Sequence, residues 1–181
     1  MVDRESLVRK VTFPRMAIPL AVALVATLNL LLNLVTVAIF MAISGVEPRW
    51  TWLLLPIPLI VLVIFATGIG LLVSALFVPF RDVRPIWDVI LQALFYGTPI
   101  LYPVEKLIEH SQTLATIAMC SPLAVVVEQF RFFLIGPSAP SAAEAIGGAV
   151  LLLIPLAILV GLTALGFYVF NRMAPHVAEE L

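Results

Sequence analysis

The chain has 181 residues, 62% hydrophobic and 12% charged, with a formal net charge of −1. A soluble domain carries about 25% charged residues, so lipid must be the solvent for much of this chain and an ordinary water-soluble fold is excluded. The charge balance gives no reason to expect nucleic-acid binding. The single cysteine, Cys120, excludes an internal disulfide and a cysteine-only metal site. His110 and His176 stand far apart, without the carboxylate or cysteine pattern of a metal site, so no metal is expected.

Residues 1–15, MVDRESLVRKVTFPR, are charged and amphipathic and suit a short helix on the membrane surface. Phe13-Pro14 ends it, because the residue before proline avoids the helical region. They are not a secretory signal: Asp3 and Glu5 dilute the basic start, and the apolar run that follows is too long. The segment near 16–46 is uncharged up to the GVEPR turn and long enough to span a bilayer. Asn29 and Asn33 share one face of it, which predicts packing on protein. Trp50 and Trp52 read as interfacial anchors opening a second span near 50–80. Pro56 and Pro58 predict a distorted first half there, and Gly68, Gly70 and Ser74 a close helix contact, Gly70 and Ser74 as a small-xxx-small pair.

A third apolar segment, near 86–104, is interrupted by Asp88, Gln92, Pro99 and Pro103. The next piece, Thr113 to Val127, is short and broken at Ser121-Pro122, so the region 105–136 is expected to be re-entrant rather than spanning. A last span lies near 145–171. The predicted fold is therefore all-α and polytopic, with about four transmembrane helices and a re-entrant outer helix pair. With four crossings, Arg4, Arg9, Lys10, Arg15, Arg81, Arg84 and Arg172 share one side, and Arg49, Lys106 and Arg131 the other. The positive-inside rule then puts both termini in the cytoplasm. A fifth crossing would leave the same seven-to-three split, so length and the internal proline decide the count.

No catalytic constellation is present. There is no GxxxxGK[ST] loop, and Ser74 and Ser121 lack a histidine base at any useful spacing. Energy for transport must then come from a partner chain or an ion gradient. Three stretches stand out. Leu7 to Pro19 reads either as a basic anchor to acidic lipid or as a docking helix for a cytoplasmic partner. Arg81, Asp82, Arg84 and Asp88 form a solvated turn with local salt bridges or a functional one; Asp88 lies just inside the apolar run, where an acid faces protein or water. Beyond it, Gln92, Phe95, Tyr96 and Tyr102 suit a path for sugars, their rings offering flat faces and their polar atoms bonding hydroxyls; helix packing with an interfacial Tyr belt is the plainer account. In Ser121 to Gly136, Glu128 and Arg131 are three apart and able to pair.

In this order, LVRKVTFPRMAIPLA at 7–21, RDVRPIWDVILQALFYGTPILYP at 81–103, SPLAVVVEQFRFFLIG at 121–136 and the final AEEL resemble a known family. The chain is similar to the permease subunit of a type-2 ABC exporter, in the branch that moves O-antigen, teichoic acid or galactan. The resemblance implies that Arg9, Lys10, Phe13, Pro14 and Arg15 lie in a cytoplasmic segment, 1–15, that couples to the ATPase, followed by a transmembrane domain, 16–181. It implies that Arg81, Asp82, Arg84 and Asp88 form a cytoplasmic turn and that Gln92, Phe95, Tyr96 and Tyr102 flank the substrate path. Glu128 and Arg131 then fall in the outer re-entrant pair. The partners implied are an ABC ATPase, a second permease copy, a lipid-linked glycan and membrane lipid, with no cofactor in this chain and ATP and Mg bound by the ATPase. The place implied is the bacterial cytoplasmic membrane. Family members usually carry a longer N-terminal part with two further spans, so a shortened chain is expected. Rival readings are a drug or lipid exporter permease, a membrane-embedded transferase using Asp88, Glu105, Glu109 or Glu128, and a fragment or assembly protein without transport of its own.

Overall fold

The computed structural model describes residues 17–46, 48–77, 79–80 and 82–173. The expected coupling residues Arg9, Lys10, Phe13, Pro14 and Arg15 lie outside the described residues, as does Arg81. All regular structure among the described residues is helical. Helix α1 runs Ala17–Ile43, 27 residues. It ends at Gly45, whose φ of +73° lets the Val46 amide reach back to Met41 O and the Gly45 amide to Ala42 O. This is the Schellman closure that a glycine past the last turn allows.

Helix α2, Pro56–Phe77, follows a 3-10 turn at Trp50–Leu54. The distortion expected from Pro56 and Pro58 is confined to that lead-in. Both prolines sit in the first turn, where amides have no partner to lose. Helix α3 is Val83–Gly97. Its 15 residues reach roughly 22 Å at 1.5 Å per residue, short of a bilayer core of about 30 Å. The helix stops well before 104 because Thr98 precedes Pro99 and takes an extended conformation.

Short helices follow: α4 Val104–His110, α5 Gln112–Met119, α6 Pro122–Ile135 and α7 Ala142–Ile146. Helices α5 and α6 meet at 105°. The elbow is chemically fixed: Ser121 is extended and Pro122 opens α6 at a position that needs no amide donor. The last expected span is broken where Gly147 and Gly148 both take positive φ, and α8 proper is Leu153–Met173 after a 3-10 turn at Ala149–Leu152.

Helices α2 and α8 pack side by side and run parallel. Gly68 meets Thr163 and Gly166, and further along Leu71 and Ala75 meet Phe170. The close approach is at Gly68, where an added Cβ would lie 2.6 Å from Thr163 Cα. It is not at Gly70, which has nothing within 4 Å and opens with Ser74 onto a cleft facing α1.

This parallel pair fixes the path of the bent one. The start of α5 is tied to α7, just before α8, by Gln112 Nε2 and Thr116 Oγ1 donating to Ala145 O and Ile146 O. The end of α6 is tied to the start of α2: Thr51 Oγ1 and Trp52 Nε1 donate to Phe133 O and Leu134 O. Both ends of the pair therefore sit at the end where α2 and α8 begin. Its elbow reaches down to Phe65 and Leu162, midway along those helices. The pair dips and returns. A chain that leaves α2 at one end and enters α8 at the other must then cross through α3. With α1, α2 and α8, that makes an all-α polytopic membrane fold with a re-entrant pair. Three stretches, Pro19–Ile43, Trp50–Phe77 and Ala149–Met173, are long and apolar enough to cross by themselves.

Candidate functional site

Helix α3 has two faces. Val83, Ile86, Trp87, Ile90 and Leu94 line an apolar cavity of about 610 Å³ between α3, α2, α8 and the elbow. On the other side, Asp88, Gln92, Phe95 and Tyr96 recur at helical spacing and are exposed. No residue of this helix is fully buried, but its apolar side lines the cavity and its polar side is turned away from it. The offered stripe is acidic at one end and aromatic at the other, with an amide between. Phe95 and Tyr96 meet edge to face, centroids 5.6 Å apart.

Three of the four expected path residues thus share a face, and Tyr102 is employed differently. Its hydroxyl donates to the carbonyls of Tyr96 and Gly97, at 3.2 and 3.4 Å, and closes the last turn of α3. At the other end of α3, Asp82 and Arg84 are exposed, and neither they nor Asp88 form an ion pair among the described residues.

The second polar centre lies on the re-entrant pair. Glu128 is fully buried, on the same face of α6 as core residue Ala124. Arg131, one turn along, donates through Nη1 to both oxygens of Glu128 at 3.1 Å. Its Nη2 reaches Glu105 Oε1 on α4, also at 3.1 Å. The expected Glu128–Arg131 pair is therefore present, extended to a third residue. Composition gives no hint of Glu105's part, since a lone acid in a polar turn looks solvated. Both acids accept from one guanidinium, an arrangement that joins α4 to α6. Among the described residues, no three histidine, cysteine or acidic side chains stand close enough to hold a metal.

Arg49 was also unforeseen in its place. An added Cβ on Gly136 would lie 2.8 Å from the Arg49 Cζ, so the guanidinium covers the end of α6. A cation there complements the helix dipole and the free carbonyls. Trp52 doubles as a cap for the same helix, whereas Trp50 is 88% exposed, as an interfacial anchor would be.

The long apolar helices and the bent pair define a multi-pass α-helical membrane protein. The ABC-2 type transporter family model matches residues 1–135, and the chain belongs to that family. Among curated relatives, an O-antigen export system permease protein RfbA of Klebsiella pneumoniae is 32% identical over 126 residues, 69% of this chain and 48% of the relative. A second of that name from Klebsiella pneumoniae is 31% identical over 127 residues, with 69% and 48% covered. One from Myxococcus xanthus is 26% identical over 129 residues, 71% of this chain and 49% of its own. The chain thus spans about half the length of the curated relatives it matches. No solved structure matches.

Proposed function

We propose that the chain is the wall-forming part of a permease in the bacterial cytoplasmic membrane that exports a lipid-linked polysaccharide or polyol phosphate, driven by a separate ABC ATPase. The observation that carries this is the α3 stripe Asp88, Gln92, Phe95 and Tyr96. It is turned away from the chain's own bundle, where an apolar stripe would serve a lipid-facing helix better. The relatives, O-antigen export permeases by name, supply the substrate class. A second copy would provide the opposite wall, with ATP and Mg held by the ATPase. The charge split supports cytoplasmic termini, with the re-entrant pair at the outer face. On this reading Arg9, Lys10, Phe13, Pro14 and Arg15 receive the push from the ATPase.

The test is deletion and complementation in the parent cell. Loss of the protein should leave glycan on its lipid carrier inside the cell. Wild type should clear it, and a Gln92→Leu/Tyr96→Leu chain should not. Drug hypersensitivity without glycan build-up would refute the reading. Replacing Arg9, Lys10 and Arg15 together should abolish co-purification with the ATPase; unchanged association and ATPase stimulation would remove the coupling role.

A further inference from the structure

The cavity of about 610 Å³ behind α3 plays no part in the α3 stripe, and its shape says what fills it. Phe65 to Leu76 on α2 and Val83 to Leu94 on α3 bound its length, a rise of about 16 Å on each helix. That is roughly half of a bilayer core of about 30 Å. One end is closed near mid-membrane, where the elbow, Cys120 to Leu123, stands at the level of Phe65 and Leu162. The other end lies at Leu76 and Val83. Among the described residues α3 packs on α2 but not extensively on α8, so the cavity opens sideways between α3 and α8.

Two occupants fail. Water needs about two to four polar partners, and the walls are apolar except for Cys120 and Ser121 at the elbow. A membrane-spanning helix needs the whole thickness of the core, about 20 residues, and the elbow blocks the groove halfway. An alkyl chain entering from the leaflet on the side of Leu76 and Val83 needs only that half, and it bends to follow an irregular apolar wall. The mouth suits the head of such a lipid. Val83 lines the cavity, and Asp82 and Arg84 on either side of it are exposed. Arg84 pairs with no acid among the described residues, so its guanidinium is available to a phosphate, which it binds with matched geometry.

We infer that this cavity is a resident-lipid site: it holds one acyl chain of a phospholipid from the surrounding bilayer, with the lipid phosphate at Arg84. The chain stands where side chains would otherwise fill the corner between α2, α3 and α8, and it supports α3 from behind. The site does not depend on what is exported or on the role of the α3 stripe.

The experiment uses Trp87, which lines the cavity. Trp50→Phe/Trp52→Phe leaves it as the sole tryptophan of the whole chain. The protein is reconstituted in phosphatidylcholine with brominated acyl chains, then moved through detergent into nanodiscs of the unbrominated lipid. Trp87 emission should stay quenched after the transfer, because a resident chain is carried along while surrounding lipid exchanges. Full recovery at once overturns the site, and this arm needs no substitution in the cavity. Val73→Phe/Ile90→Phe, which fills the cavity, should recover in full, and Arg84→Gln should recover faster than the parent. Val89→Phe, equal in bulk but exposed and outside the cavity, should stay quenched. Equal persistence in the filled variant overturns the site. So does mass analysis of the chain from its own membrane that finds a retained polyprenyl lipid in place of a phospholipid.

Discussion

Gly166 of α8 rests against the carbonyl of Gly68 on α2, with no side chain between the two backbones. This is the tightest point between the parallel spans. A methyl at 166 meets a carbonyl oxygen, which moves only if a helix moves. Gly166→Ala should therefore cost about 1–3 kcal/mol, the usual penalty of overpacking. Gly70→Ala has open space and should be neutral or slightly stabilising, since alanine favours helix over glycine. Apparent unfolding temperatures in detergent check this. Equal effects from the two substitutions would sink the assignment of the contact.

The comparison of Gly68 with Gly70 shows what the sequence could carry. Small residues on α2 announced a close contact, but two glycines two positions apart point to nearly opposite faces. Only the position of α8 says which is used. The long apolar runs showed α1, α2 and α8 directly, because nothing but lipid explains them. The end of α3 was misplaced because Tyr102 and the prolines after Gly97 extend the apolar composition beyond the helix. Glu128 with Arg131 was legible at three-residue spacing. Glu105 was not, being brought in by a fold in the chain that no local pattern encodes. The same holds for Thr51 and Trp52, whose hydrogen-bond acceptors are 82 positions away.

Those two residues carry a prediction of their own. The last carbonyls of α6 have no intrahelical partner. Thr51 Oγ1 satisfies Phe133 O at 2.7 Å and Trp52 Nε1 satisfies Leu134 O at 3.3 Å. Thr51→Val keeps the shape and removes the donor, leaving a carbonyl short of a partner, and should cost about 1–2 kcal/mol. The longer Trp52 bond should matter less to Trp52→Phe than lost packing does. Faster proteolysis in the Gly136–Ser141 loop of Thr51→Val, with global unfolding shifted only slightly, is the expected signature. Unchanged cleavage would show that the cap does not hold α6.

Acid should loosen the cap that opens α7. The Ser141 amide donates to Glu144 Oε2 at 2.7 Å, and the Glu144 amide to Ser141 Oγ, a reciprocal cap. The amide and hydroxyl of Ser141 hold the Glu144 carboxyl below its ordinary value of 4.5. A depressed folded pKa means that the cap's contribution is present above the ordinary value and fades as pH falls through the folded one. Protection of the Ser141 amide, corrected for intrinsic exchange, should therefore drop as the pH falls below the ordinary carboxyl value of 4.5. Glu144→Gln should start lower and show no such step. An identical step in that variant would assign the transition to another group.

Removing Arg131 should be worse than removing the whole buried pair. Arg131→Ala leaves Glu128 charged, fully buried and unpartnered. Breaking a buried pair from one side costs about 3–5 kcal/mol, and the low end applies because 27% of the Arg131 side chain is exposed. Arg131→Leu/Glu128→Leu removes both charges and fills the space with apolar atoms, so it should recover most of that loss. The double variant should unfold near the wild-type temperature while leaving Glu105 without its partner on α6. If it is as unstable as Arg131→Ala, packing of the arginine stem rather than charge accounts for the site.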